Sequence, residues 1–311
     1  MTEKVEDYIE KAYENLKRGD AGSAKGLLKE ALELDFDHDE VRYALKCLNW
    51  WLDKLKCLDD FYSPYERGGY ILSQWEAYYS FLARIEEGNH DSCQYAIKRF
   101  VFSLALGNFL ILLKDEINQQ DSVLLLQAGR CCKSIGDWEE ARRYLEQASR
   151  FKREDSTILS ELADVNALMG EVRAAKVLFR EAFFLDPQLI DFSVMESEMI
   201  LRLRDRVMEM GYTGSELAEW IPVWGRIWGV FSVKRELKPV ELGRLKQSIL
   251  SLENENRSKS GGDPLVKPRL LNRYFWLMDH CEHNRDTSAL ADETMLKIKF
   301  IDPVIHEHYR T

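Results

Sequence analysis

SVLLLQAGRCCKSIGDWEEARRYLEQASRFKRED, residues 122–155, runs directly into STILSELADVNALMGEVRAAKVLFREAFFLDPQL, residues 156–189. The two stretches say the same thing. Gly136, Ala141 and Ala148 recur 34 residues later as Gly170, Ala175 and Ala182. Leu125, Ala128, Gly129 and Cys132 recur as Leu159, Leu162, Ala163 and Asn166, and Leu145 recurs as Phe179. A fixed period of this length, with small residues in both halves, marks a stacked helical hairpin rather than a single catalytic domain.

The spacing has a physical cause. Antiparallel helices approach closely only where side chains are small. Gly129 faces Ala141 in the first unit, and Ala163 faces Ala175 in the second. Leu125, Leu145, Leu159 and Phe179 fill the space around those contacts. Gly136-Asp137 and Gly170-Glu171 form the turns. Leu185-Asp186-Pro187 ends the second unit, because the residue before a proline is driven out of the helical region. Neither hairpin buries its whole apolar surface alone, so neighbours must stack.

These residues resemble the tetratricopeptide repeat family, whose pattern Trp-x2-Leu-Gly-x2-Tyr, Ala-x3-Phe, Pro is met here with substitutions at the aromatic positions. A third copy spans Val5 to His38, with Ala12, the Gly19-Asp20 turn, Ala24, Leu28 and Ala31. A degenerate fourth copy lies over Asn272 to Ile305 and ends in Ile301-Asp302-Pro303. The resemblance implies an all-α fold, an α-solenoid of antiparallel helical hairpins with divergent middle and C-terminal helices. It also implies a concave face lined by the first helix of each hairpin, where a peptide or partner helix lies. By register that groove takes Ile9, Tyr13 and Lys17, then Val123, Leu126, Arg130 and Lys133, then Thr157, Ser160, Asp164 and Leu168. The asparagine and lysine clamp with which chaperone-binding members hold a terminal carboxylate is absent, since Tyr13, Arg130 and Asp164 stand in its places.

The remaining chain is helical by its apolar spacing, with no convincing alternation of period two. The organisation expected is an N-terminal repeat over 1–38 and divergent hairpins over 39–121. Two well-matched units follow over 122–189, then a tryptophan-rich extension over 190–255. A mobile loop over 256–268 precedes a degenerate hairpin and tail over 269–311. Within these, helices are expected near Glu40–Leu58, Tyr70–Glu87, Asp91–Leu113, Phe192–Met210, Ser215–Val233 and Val240–Glu255. Phe61 to Gly69 is expected to be a loop.

Composition narrows the function. The formal net charge is −10 over 311 residues, a poor match to nucleic acid or an anionic membrane, because phosphate binding needs a concentrated basic field. The six cysteines contain no Cys-x-x-Cys pair and read as buried thiols of a reducing compartment. No apolar leader precedes the charged start at Thr2-Glu3-Lys4. The apolar run from Trp220 to Val233 is interrupted by Arg226 and is too short to span a bilayer. A cytoplasmic protein without an integral membrane segment is expected.

Phosphate-cradling loops, His-Glu-x-x-His and Gly-x-Ser-x-Gly are all missing from the sequence. His280, Cys281 and His283, with His306 and His308 later, lack the spacing and support of a zinc site. No enzyme activity, cofactor or metal is expected. Trp220, Trp224 and Trp228 recur every four residues and, with Phe231, line one side of a helix. They form either core or a candidate second interface. The function expected is a protein-interaction scaffold or adaptor for a protein or peptide partner. The alternative is a structural subunit of a larger bacterial assembly, since the family includes flagellar-motor collar components, with the tryptophan-rich face as its contact.

Overall fold

The computed structural model describes residues 2–85, 88, 90–232, 237–258, 263–283 and 288–310. Among them are fifteen α-helices, three short 3-10 segments and no strand. The protein is all-α, and successive helices pack as neighbours. It divides into two units, residues 1–151 and 152–311.

The first unit contains α1 (Thr2–Lys17), α2 (Ala21–Leu34), α3 (Asp39–Leu55), α4 (Pro64–Leu82), α5 (Asp91–Leu113), α6 (Ser122–Ile135) and α7 (Trp138–Phe151). The second contains α8 (Ser156–Leu168), α9 (Val172–Leu185), α10 (Glu198–Glu209), α11 (Gly214–Ile227), α12 (Pro239–Ser258), α13 (Val266–His283), α14 (Ser288–Ile301) and α15 (Pro303–Arg310).

The hairpins α1–α2, α6–α7 and α8–α9 share their turn chemistry. Gly19, Gly136 and Gly170 have φ of 87°, 86° and 81°, a left-handed conformation open to glycine at little cost. The residue after each glycine donates its N–H to a carbonyl five residues back. These bonds are Asp20 to Asn15, Asp137 to Cys132 and Glu171 to Asn166, at 2.9, 2.9 and 2.8 Å. The first helices of the two central units start alike. Asp121 accepts from Val123 and Leu124 N–H, and Asp155 accepts from Ile158 N–H, each satisfying orphan donors of the first turn.

The close approach expected at Gly129 is present. A Cβ there would lie 2.7 Å from Leu145 Cγ and 3.4 Å from the Ala141 carbonyl oxygen. Ala141, Leu145, Ala148, Ala175, Phe179 and Ala182 are all fully buried.

Several helix limits differ from those expected. Helix α4 starts at Pro64, inside the expected loop, because Ser63 and Glu66 form a capping box around a proline at the first helical position. It ends at Leu82, and residues 86 and 87 lie outside the described set. Helix α10 starts at Glu198 rather than Phe192, for a tertiary reason given below. Helix α11 ends at Ile227, and Val233 lies outside the described residues. The expected loop over 256–268 is partly helical at both ends, through Ser258 and from Val266, while residues 259–262 lie outside the described set.

Helix α5 has 23 residues and a mean hydropathy of 1.7 over its most apolar window, long and apolar enough to cross a membrane by length and composition. Its apolarity has a packing cause, since it meets α1, α3, α4 and α6. Cys93, Ile97, Val101, Ala105 and Phe109 are all buried. An aromatic cluster stands on α3, α4 and α5, where Trp51 meets Trp50 edge-on at 5.0 Å and Trp75 meets Phe102 at 4.9 Å.

The second unit is tied internally by a buried ion-pair network. Asp279 on α13, 1% exposed, accepts from Arg180 on α9 and from Arg226 on α11, the latter at 2.8 Å. Arg226 also donates to the Tyr309 hydroxyl on α15 at 3.2 Å. The Arg180 guanidinium lies 4.4 Å from the centre of the Trp276 ring. One carboxylate thereby joins four helices.

Two outcomes follow for urea unfolding. Ala141→Leu overpacks the α6–α7 contact and lowers stability by about 1–3 kcal/mol, whereas Gly26→Ala, on exposed α2 surface with open space around it, raises it by about 0.5–1 kcal/mol. Asp279→Ala leaves two guanidinium groups without their shared anion and lowers stability by about 3–5 kcal/mol, which a thermal melt of residues 1–311 reads as early loss of the C-terminal transition.

Candidate partner-binding surface

The first helix of a hairpin has one face against its own second helix and one left over. The structure covers most of that second face with the chain itself. On α1, Ile9 and Tyr13 are each 6% exposed. The Tyr13 hydroxyl donates to Glu40 Oε1 on α3 at 2.9 Å and also meets Cys93 on α5, and burial raises its pKa well above the ordinary range. Lys17 pairs with Glu14 at 2.8 Å and lies 5.5 Å from the centre of the Tyr95 ring on α5. Helix α5 therefore occupies the face of α1 that the register assigns to a ligand.

On α6, Leu126 and Lys133 are buried, Arg130 is half-buried, and Val123 alone of the four assigned positions is exposed.

Helix α8 is covered differently. The chain leaves α9 at Asp186 and runs as an irregular segment to Ser197, beside α8. Ser156 Oγ donates to the Asp186 carbonyl at 2.6 Å, and Thr157 Oγ1 donates to the Leu189 carbonyl at 3.0 Å. Further along, the Asp164 carboxylate accepts from the backbone N–H groups of Glu196 and Ser197, both at 2.9 Å. Ile190 and Met195, each 5% exposed, anchor the segment in the core. Ser160 and Asp164 are fully buried, while Thr157 and Leu168 are half-buried.

Of the eight residues Tyr13, Lys17, Leu126, Arg130, Lys133, Thr157, Ser160 and Asp164, none is exposed. The expected open groove is corrected by this finding. Its α8 portion holds a peptide, but the peptide is residues 186–197 of the same chain. This also explains the late start of α10. Two N–H groups that a helix from Phe192 would turn inward are instead captured by Asp164. The sequence carries a local signal for the break, because Asp191 accepts from both the N–H and the hydroxyl of Ser193, a side-chain turn that competes with helix.

Of the two readings of the tryptophan stripe, core and second interface, burial favours core. Trp220, Trp224 and Phe231 are 6%, 4% and 1% exposed, and Trp228 is half-buried. Tyr212 stacks on Trp220 at 4.8 Å, and Trp224 stacks on Trp228 at 5.1 Å. Gly225 lets Phe231 close on the same helix, since a Cβ there would meet its ring at 2.5 Å. The stripe is core.

His280 is 5% exposed, and its Nδ1 accepts the Leu237 N–H at 3.2 Å. The His283 side chain lies outside the described residues. Among the described residues, no three potential ligands gather into a metal site.

A cleft of 380 Å³ lies between α12, α13 and α14 of the second unit. Leu270, Tyr274 and Ile301 form its apolar side, and Phe300 stands at its edge. Phe300 is 85% exposed, and Leu296, one turn earlier on α14, is 57% exposed. Glu253 is the organising polar group. It accepts from the Tyr274 hydroxyl at 2.7 Å and pairs with Lys297 at 3.1 Å. Burial alone would raise its pKa, but Tyr274 and Lys297 together hold it below the ordinary carboxylate value. Lys267 pairs with Asp302 at 2.8 Å on the opposite side. Sequence reasoning missed this cleft because helical spacing marks an apolar face without showing which of its residues a neighbouring helix covers.

In comparison with known proteins, the chain matches no family model and no curated protein.

Asp164→Ala removes the acceptor of the Glu196 and Ser197 N–H groups, at about 1–3 kcal/mol for the buried Ser197 N–H. Amide exchange of Glu196 and Ser197 is expected to rise by at least tenfold, against little change for Ser160→Ala, whose hydroxyl bonds only within its own helix turn.

Proposed function

We propose that this protein is a non-enzymatic helical-repeat scaffold that holds a protein or peptide partner. The hairpins with left-handed glycine turns at a 34-residue period resemble tetratricopeptide repeats, and a rigid scaffold of that kind loses little freedom on binding. The working surface in this reading is the cleft between α12, α13 and α14 with Phe300 at its edge and exposed Leu296 one turn earlier on α14, not the faces of α1 and α8.

The observation that carries the proposal is Phe300, a large aromatic side chain left 85% exposed beside a cleft, whereas the groove and tryptophan-stripe positions other than Val123 are buried or half-buried. Aromatic anchors at the mouth of a pocket are where interfaces concentrate their energy, and large exposed apolar surface marks interaction sites. The fixed Glu253–Tyr274–Lys297 group beside it supplies directional polar contacts around an apolar centre, the composition of a binding site. Cytoplasmic location belongs to the same proposal.

Site-specific photocrosslinking tests it. A photoreactive phenylalanine analogue at position 300, in the native cell, is expected to give discrete adducts that Leu296→Asp abolishes. The same analogue at Tyr62, which is 98% exposed in the first unit, serves as the reference. Equal labelling from both positions, or none from position 300, overturns the assignment.

A further inference from the structure

One side of α14 faces solvent along its whole length. Ala289, Asp292, Glu293, Leu296, Lys299 and Phe300 are all exposed, and separations of three, four and seven keep them on one side of the helix. Leu296 and Phe300 are the apolar middle of this side, and its charges have an order. Asp292 and Lys299 stand seven residues apart, nearly two full turns and about 10 Å along the axis, so they share one edge of the exposed stripe. The midpoint between them falls beside Leu296. Among the described residues neither Asp292 nor Lys299 makes an ion pair, whereas Glu293 pairs with Lys297 at 2.9 Å.

We propose that this side of α14 is a self-association surface, packing antiparallel against α14 of a second copy of the chain about a two-fold axis beside Leu296. The order of charges selects this occupant. A two-fold contact is self-complementary, and it brings residues on opposite sides of the axis together. Asp292 of each copy then stands beside Lys299 of the other, so both charges gain a partner, twice over. A parallel pairing would set Asp292 against Asp292 and Lys299 against Lys299. At the axis the two Leu296 side chains meet, with a Phe300 on either side, which gives an apolar centre and a charged rim. One pair of helices is a small interface, so the dimer is weak and depends on concentration. This inference rests on the reading of the α14 surface as the working surface, and it names the partner there as a second copy.

Sedimentation velocity of the full chain over rising concentration tests it. Wild type is expected to shift from monomer toward dimer. Asp292→Lys and Lys299→Glu each place like charges together twice and are expected to weaken self-association by at least about tenfold, with unchanged helix content because both positions are exposed. An equimolar mixture of the two single variants is expected to dimerise again, since each chain supplies the sign that the other lacks. A wild-type chain that stays monomeric, a dimer that both single variants leave intact, or a mixture that does not recover overturns the proposal. The photoreactive analogue at position 300 separates it from the broader reading. An adduct of twice the chain mass supports the second copy. Adducts to other proteins alone overturn the second copy and leave the partner surface standing, and no adduct overturns both.

Discussion

The contact on which the central hairpins depend is the approach of two helices at a residue without a side chain. At Gly129, a single added carbon would stand 2.7 Å from Leu145. That closeness buries Ala141, Leu145 and Ala148 completely, and the same arrangement returns one period later around Ala163 and Ala175. Once two helices are locked at this distance, the turn must be short and its first residue left-handed, hence glycine at 136 and 170. The first helix of each pair then has a second face to dispose of, and how the chain disposes of it decides what the protein offers to others.

It disposes of most of that face internally. In the first unit, α5 lies against α1 and covers Tyr13. In the second, residues 186–197 lie along α8, and Asp164 reads two of their backbone N–H groups. Charge-assisted bonds from two consecutive N–H groups to one carboxylate fix the backbone just before α10 and keep that part of the α8 face occupied in cis. On α14 of the C-terminal hairpin, Leu296 and Phe300 remain exposed, Phe300 at the edge of the cleft.

Buried polar groups set the particular geometry. Asp279 joins four helices through two arginines and Tyr309. Glu219, 1% exposed, accepts from Gln188 and Arg269, both at 2.8 Å. Gln94 on α5 donates to the Tyr43 hydroxyl on α3 at 2.7 Å and accepts from the Tyr78 hydroxyl on α4 at 3.1 Å. Apolar packing tolerates sliding, whereas a buried charge with a missing partner costs several kcal/mol. These groups therefore specify which helices are neighbours after the repeat register is lost.

The amino-acid order encodes the helical class, the 34-residue period, the glycine turns and the small-residue contacts, because each rests on residues a few turns apart whose spacing sets local geometry. It also placed the tryptophan stripe on one side of a helix. Long-range packing sets the rest: Trp220 and Trp224 are core, Asp164 holds the chain's own backbone, α10 starts at Glu198, and Phe300 stays in water. Helical periodicity marks an apolar face but not what covers it. Covering depends on residues 30 to 100 positions away, such as Asp164 with Ser197 and Arg180 with Asp279, and no local spacing encodes their meeting.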